Sequence, residues 1–311
     1  MDGHLGLVCI NRDGRSRLTT LCFDGLARAS RALREPRGAA RVVTATLGPG
    51  LLGGDAVTRD TVVASGATLV VAAQMATPVF AGNAPSRSDA RSRVAAGAEL
   101  YVTGEVLLLA PRSAHEVSAA FDVSGDGFAV HAEIVVLGAG ARLRSRTSAR
   151  IDGRLVVRDA CDLDGDGSGR ALLTAIVVSA DSQRRACLAA LLQGLLGEDP
   201  AIRGGLGATD GATIVRAQAP GAWPLQRLLD RIVALARARE GAGSDDAPRA
   251  PGMMRYALAA IPVTMLTLAI PFVNRVEPRI FGLPFLLAWI VLWILLTPAF
   301  LGLVARLDRS P

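Results

Sequence analysis

The chain has 311 residues, of which 34 are lysine or arginine and 28 are aspartate or glutamate, giving a net charge of +6 and a pI near 10.0. This length accommodates one large soluble domain of about 240 residues together with a smaller segment. Every basic residue is arginine and aromatic residues make up only 4% of the chain, so the arginines lack the neighbouring rings on which bases stack, and nucleic-acid binding is not expected.

Cysteines and histidines are few and widely spaced. They are Cys9, Cys22, Cys161, Cys187, His4, His115 and His131. The sequence shows no Cys-x-x-Cys pair and no secretory leader, so we expect reduced, mostly buried thiols in a cytoplasmic protein. A His/Cys metal centre and a Ser-His-Asp or Cys-His enzyme are both difficult to assemble from this set. We therefore expect a protein that is not an enzyme.

Short apolar runs cut by Gly, Asp, Ser and Arg fill the chain from Leu5 to Val178. Runs of this length that are rich in Val and Thr and bounded by turn residues are typical of β-strands. The runs are Leu5–Ile10, Arg41–Leu47, Thr61–Val63, Thr68–Ala73, Glu105–Leu109, Ala129–Leu137, Leu155–Val157 and Leu172–Val178. The sequence predicts a mainly β body.

A small repeat occurs inside this body. Its copies are Ser65–Leu69, Ala96–Leu100 and Asp126–Val130, and their glycines Gly66, Gly97 and Gly127 lie 31 and 30 residues apart. Such a period indicates strand pairs laid side by side, each too small to bury its own apolar face. We expect a stacked, helix-like β scaffold whose function lies on a broad β surface.

A glycine-rich segment, Thr46–Asp55, is the most unusual stretch of the β body. Its four glycines and its proline before an aspartate suit a tight backbone turn, and could in principle cradle an anion. The Gly-Lys-Ser/Thr ending of a phosphate-binding loop is missing. A structural turn is the favoured interpretation.

An acidic segment, Asp162–Gly169, resembles the first half of a calcium loop. Leu173 stands at the twelfth position, where such a loop needs a bidentate glutamate. We expect a solvated turn between strands in preference to a calcium-binding or hydrolytic enzyme. Other candidate carboxylate ligands, for which the outer face of a strand is the usual alternative, are Glu99, Glu105, Glu116 and Glu133.

Helical periodicity appears only after Val178. Asp181 is expected to cap a helix, and Trp223–Pro224 to open another. The apolar faces are Leu188, Leu191, Leu192 and Leu195 in the first helix, and Leu225, Leu228, Leu229, Ile232 and Leu235 in the second. Residues 241–252 are polar and rich in turn formers, so we predict a domain over residues 1–240 and a linker over 241–252.

Residues 253–311 are predicted to form a transmembrane helical hairpin. Two nearly uncharged runs, Tyr256–Val273 and Ile280–Ala305, approach the ~20 residues that cross a bilayer as a helix. The short connector Asn274–Arg279 brings both ends to one side, and the flanking arginines favour the cytoplasm for that side. Buried soluble helices are the alternative.

Taken in order, motifs along residues 5–239 resemble the urease accessory protein UreD (UreH) family. They are Gly14–Leu18, Leu47–Asp55, Ser65–Gln74 with Ala76–Phe80, Ala96–Leu100 with Glu105, Ala132–Gly138, Asp152–Asp159, and Gly207–Thr209 with Ile214–Arg216. The resemblance implies a non-catalytic β-rich scaffold that binds apo-urease and a UreF-like partner while a UreG-like GTPase delivers nickel.

The same resemblance implies an internal polar path for the nickel. Asp55, Thr77, Glu133 and Asp159 match polar positions of the family pattern, and their carboxylates and hydroxyl suit a divalent ion that is held weakly. We therefore expect transient nickel and no tightly bound cofactor.

The C-terminal segment has a resemblance of its own. Met254–Arg279 and Gly282–Trp289 look like a family of small two-helix membrane proteins of unknown function that accompany sodium/solute symporters. This implies a cytoplasmic domain anchored at the inner membrane. The alternative function is a membrane-anchored accessory subunit of such a symporter with a vestigial β domain.

Overall fold

The computed structural model describes residues 1–35, 38–74, 76–238 and 285–307. The chain divides into two compact units, Met1–Ala238 and Arg239–Pro311. Strands in the first unit are β1 (Asp2–Arg12), β2 (Arg15–Gly25), β3 (Ala27–Ala29), β4 (Leu33–Arg34), β5 (Ala40–Thr46), β6 (Ala56–Val63), β7 (Thr68–Ala73), β8 (Ala76–Val79), β9 (Ser86–Val94), β10 (Glu99–Leu109), β11 (Ala114–Val123), β12 (Phe128–Leu137), β13 (Arg142–Ile151), β14 (Arg154–Asp164), β15 (Ala171–Ser179), β16 (Arg203–Ala208) and β17 (Ala212–Ala219). Its helices are α1 (Ser182–Leu196) and α2 (Ala222–Arg237).

Two sheets form the first unit. The first sheet has the order β14-β13-β11-β9-β6-β1-β2, and the second has the order β16-β17-β15-β12-β10-β7-β5-β3, with β4 on β5 and β8 on β10. From β5 to β13 the chain alternates between the sheets, except that β7 and β8 both lie in the second sheet and both pair with β10. Each of these strands pairs in parallel with the strand one circuit away. The predicted stacked, mainly β scaffold is confirmed as a solenoid.

The third copy of the sequence repeat is shifted by one residue from its predicted register. In the second sheet Thr68 lies opposite Glu99, and Glu99 lies opposite Phe128, so the circuits are 31 and 29 residues long. Gly127 therefore stacks on Ala98, and not on Gly97. A Cβ on Gly127 would lie 2.8 Å from the Ala95 carbonyl oxygen, so glycine is needed there for close approach and not for the turn itself.

The helices cover the outer face of the second sheet. Asp181 caps α1 as predicted, accepting a hydrogen bond from the Arg184 amide at 2.9 Å. The side chains that α1 buries are Leu188, Leu192, Leu195 and Leu196, and those that α2 buries are Leu225, Leu228, Leu229, Ile232 and Ala236. Leu191, predicted on the apolar face of α1, is 49% exposed, because the face in contact with the sheet is narrower than the run of leucines.

The second unit is described only over α3 (Phe285–Leu307), which contains Pro298. The predicted linker 241–252 and the predicted helix 256–273 lie outside the described residues. Within the described part of the chain, none of the helices is both long enough and apolar enough to cross a membrane. The hairpin therefore stays a prediction.

Candidate functional site

A polar layer lies inside the solenoid, between two apolar clusters. On β12 the inward-facing side chains change from Ala129, in one cluster, to His131 and Glu133, and then to Val135 in the other cluster. Alternate residues of a strand share a face, so His131 and Glu133 both point between the sheets while Ile134 packs towards the helices. We refer to the polar residues Thr44, Thr46, Arg59, Ser88, Thr103, His131 and Glu133 as the polar layer; they line one central cavity of about 70 Å³.

Glu133 is the predicted site residue at the centre of this layer. Its side chain is buried, and its Oε1 accepts a hydrogen bond from Ser145 Oγ at 2.9 Å. Ser145 belongs to β13, in the opposite sheet from Glu133. The carboxylate therefore bridges the two sheets in the interior, away from the outer strand face that is the usual place for a strand carboxylate.

His131 was not predicted as a site residue. It is 9% exposed, packs against Phe121 with ring centroids 5.3 Å apart, and neither ring nitrogen has a hydrogen-bond partner among the described residues. Burial, assisted by the charge of Arg59, lowers the pKa of His131 to about 3, so the imidazole is neutral. The sequence signal was its i, i+2 spacing from Glu133 in a strand.

A second interior cavity adjoins the central one. It has a volume of about 50 Å³, contains Thr77 and shares Thr44, Thr46 and Arg59 with the central cavity. A third cavity, of about 890 Å³, includes Asp159 in its lining but is formed mainly by outward-facing residues of β9, β11 and β13, so the first sheet separates it from the central cavity. The fold thus brings Thr77 and Glu133 to two adjoining interior cavities.

Thr77 is held by the glycine-rich turn. The amide of Leu51 donates to the Pro78 carbonyl at 2.8 Å, and the Phe80 amide donates back to the Leu51 carbonyl at 2.8 Å. A Cβ on Gly53 would lie 2.5 Å from the Gly82 Cα, so the turn packs tightly against the segment after β8. Thr46–Asp55 is accordingly a structural turn, and it fixes the segment that carries Thr77.

Asp55 lies apart from the other predicted residues. Its carboxylate pairs with the Met1 ammonium at 2.5 Å and accepts a hydrogen bond from the Leu52 amide at 2.8 Å. Burial alone would raise the pKa of Asp55, but these hydrogen bonds outweigh it and lower the pKa. Asp55 lines none of the three cavities, so its oxygens serve the turn.

Asp159 lies on the edge strand β14 and accepts a hydrogen bond from Arg216. Cys161, two residues further along, is partly buried. Burial raises the pKa of the Cys161 thiol, the charge of Arg216 opposes this rise, and the charges of Asp159, Asp162 and Glu133 add to it. The thiol and the carboxylates are therefore close enough to influence one another.

Glu116 and Glu99 have ion-pair partners, while the side chain of Glu105 lies outside the part of the chain whose side chains the structure describes. Glu116 pairs with Arg87 at 3.2 Å on the first sheet, and Glu99 pairs with Arg184 at 3.1 Å. Asp162 lies within β14, so the predicted acidic turn is shorter than the calcium-like segment. Across the described ranges, no group of three or more His, Cys, Asp or Glu side chains could hold a metal ion.

Two family models match the chain. Residues 1–251 match the model described as UreD urease accessory protein, and residues 257–311 match the model described as a protein of unknown function (DUF3311).

Among curated proteins, the urease accessory protein UreD of Streptomyces avermitilis is 35% identical over 241 residues, covering 71% of this chain and 92% of that protein. UreD 3 of Methylorubrum extorquens is 30% identical over 247 residues, covering 71% of this chain and 80% of that protein. The uncharacterised membrane protein YhjC of Bacillus subtilis is 50% identical over 55 residues, which are 18% of this chain and 83% of that protein. The two parts of the chain therefore have separate relatives.

Proposed function

The chain belongs to the UreD family of urease accessory proteins, and on this premise we propose that it is a non-catalytic scaffold that assists nickel insertion into apo-urease. The single observation that carries the proposal is the pair of adjoining interior cavities that Thr77 and Glu133 line. Nickel is the cargo of this scaffold, and not a resident cofactor.

The chemistry of these residues suits a relay. Carboxylate and hydroxyl oxygens bind hard or borderline divalent ions, and a site of few ligands holds them weakly. Glu133 shares its carboxylate with Ser145, and Asp159 shares its carboxylate with Arg216. A passing ion must compete with these contacts, which favours its release to the next position.

The candidate residues are spread along the solenoid. The cavity with Thr77 is lined from β1, β3, β5, β6, β7 and β8, whereas Asp159 lies on the edge strand β14 and pairs with Arg216 of β17 in the opposite sheet. Thr77 and Asp159 therefore lie towards opposite ends of the strand stack. We propose that a UreF-like partner with a UreG-like GTPase serves one end and that apo-urease receives nickel at the other.

The C-terminal segment is proposed to anchor this scaffold to the inner membrane as a hairpin with helices at about 256–273 and 280–305. Its match to an uncharacterised membrane protein supports the anchor. The expected result is that the full chain sediments with membranes and resists carbonate extraction. Complete release of the full chain from membranes by carbonate would refute the anchor, but it would leave the proposed scaffold role of residues 1–240 unaffected.

The scaffold role is tested in cells that contain apo-urease and the other accessory proteins but lack their own UreD. The full chain should restore urease activity, and urease purified from these cells should contain more nickel than urease from cells with an empty vector. Unchanged nickel with a folded, expressed chain would contradict the proposal. Copurification of the chain with apo-urease reports separately on the partner.

A further inference from the structure

We infer that His131 and Glu133 together form a resting site for a divalent cation in the central cavity. The inference rests on the proposed function and adds to it a site at which the nickel ion is held during transfer. His131 supplies an imidazole nitrogen, Glu133 supplies a carboxylate oxygen, and water completes the coordination.

The buried His131 side chain lacks hydrogen-bond partners among the described residues. Buried polar groups are nearly always hydrogen-bonded, so an imidazole with two unpartnered nitrogens in the interior demands a reason. Neither His131 nitrogen has a partner among the described residues, whereas His115 Nδ1 lies 2.8 Å from Ser86 Oγ. His115 Nε2 also has no partner among the described residues, but His115 lines none of the three cavities, so His131, and not His115, is available to an ion in the central cavity.

His131 and Glu133 are placed at the same cavity. His131 and Glu133 lie two residues apart on β12 and line the same cavity. A cavity of about 70 Å³ has room for a small ion with a few waters. Thr103 and Ser88 line the cavity as well, so that coordinated waters would meet hydroxyl groups.

The two side chains offer one nitrogen ligand and one oxygen ligand. Imidazole nitrogen suits nickel, copper and zinc, while carboxylate oxygen suits harder ions, so a mixed pair favours a borderline divalent cation. Arg59 lines the same cavity and its charge acts on His131. That positive charge opposes a bound cation, which keeps the site weak and the ion exchangeable.

The first test observes the unmodified imidazole. The chain contains three histidines, so full-length protein labelled with ¹⁵N-histidine and purified in detergent should give three sets of imidazole signals. Because His4 is half-exposed and close to Asp60, a His4→Gln background removes a competing surface ligand and leaves the two sets of His115 and His131. Substoichiometric Ni²⁺ should broaden the His131 signal before the His115 signal; broadening of His115 alone, or of neither, would overturn the inference.

The second test uses matched variants of the two buried histidines. His131→Phe keeps an aromatic ring against Phe121 and should weaken Ni²⁺ binding by tenfold or more in equilibrium titration of the full chain. His115→Gln retains a hydrogen-bonding group beside Ser86 and should leave the affinity within twofold. Equal Ni²⁺ affinity for folded His131→Phe and unmodified protein would contradict the assignment. If His131→Phe does not fold, the labelling experiment decides.

Different results would contradict the scaffold role and the resting site. If the unmodified chain does not raise the nickel content of urease, the proposed function fails, whatever the titration shows. If it does raise that content, and His131→Phe binds Ni²⁺ and loads urease as well as the unmodified chain, only the resting site fails.

Discussion

Tyr101 on β10 attaches the C-terminal end of α2 to the second sheet. Its hydroxyl lies 3.1 Å from Glu99 Oε2 and 3.3 Å from the Ala236 carbonyl in the last turn of α2. Arg184 bonds both the same carboxylate and the same carbonyl, and its guanidinium lies 3.6 Å from the centre of the Phe128 ring. Burial, the largest cause, raises the pKa of Tyr101, so the hydroxyl remains a donor.

Replacing this hydroxyl tests the strength of that attachment. Tyr101→Phe keeps the ring and removes the hydroxyl, so we expect a loss of about 1–2 kcal/mol in the free energy of unfolding. The measurement is urea unfolding followed by circular dichroism of the β signal. An unchanged midpoint would mean that Arg184 alone holds the end of α2.

The two buried histidines predict a loss of stability in acid. Burial lowers the pKa of His115 to about 4 and that of His131 to about 3, below the ordinary value of about 6.5. Below pH 6.5 these histidines bind protons in the unfolded chain but stay neutral in the folded chain. The free energy of unfolding therefore keeps its full value above pH 6.5 and falls as the pH drops towards 4. Each histidine contributes a slope of about 1.4 kcal/mol per pH unit.

Urea midpoints at pH 7, 6 and 5 measure this slope. His131→Phe should remove about half of the histidine contribution, because His115 still titrates. A slope that is the same in the variant and in the unmodified chain would show that acid destabilisation arises from other groups.

At the element scale, polar side chains join each turn of the solenoid to its neighbour. The Gly97 amide donates to Asp126 Oδ1 at 2.6 Å, and the Gly125 amide donates to Asp152 Oδ1 at 2.9 Å. Ser65 Oγ donates to the Ala96 carbonyl at 2.7 Å. The turn residues therefore set the spacing between circuits as well as the direction of the chain.

Glycine at position 127 is predicted to be essential to this stacking. A Cβ there would lie 2.8 Å from a carbonyl oxygen, whereas a Cβ on Gly205 would meet nothing within 4 Å. Gly127→Ala should lower the free energy of unfolding by about 1–3 kcal/mol, while Gly205→Ala should change it by about 0.5 kcal/mol or less. Thermal unfolding of both variants checks the difference, and equal values would show that the circuits separate freely.

Local sequence patterns predicted the individual helices and strands better than they predicted how the strands pair in space. Asp181 and the leucine spacing of α2 predicted both helices, because caps and apolar periodicity depend on neighbouring residues. The contact of Glu133 with Ser145 depends on pairing between distant strands, which local patterns do not encode. His131 is absent from the predicted site residues because the role proposed for it rests on burial without a partner, which is a property of the folded interior.

At the scale of the whole molecule, the polar layer of the first unit separates the two apolar clusters that lie between its sheets, while a third cluster lies under the helices. Leu100 and Phe121 belong to one cluster, and Leu107 and Leu137 belong to the other. The apolar clusters supply the burial that stabilises the solenoid, so the layer between them can remain polar. The scaffold and the interior cavities are thus two consequences of one strand pattern.

The measurement that tests the central claim most directly is the nickel content of urease purified from cells complemented with Glu133→Gln, beside Glu198→Gln as the matched control. Both changes remove one carboxylate charge, but Glu133 lines the central cavity, whereas the exposed Glu198 pairs with Arg231 at 2.6 Å and lines none of the three cavities. We predict that Glu133→Gln lowers the nickel per urease at least fivefold while Glu198→Gln leaves it unchanged. Equal nickel content with the two variants, both folded and expressed, would contradict an internal route for the metal.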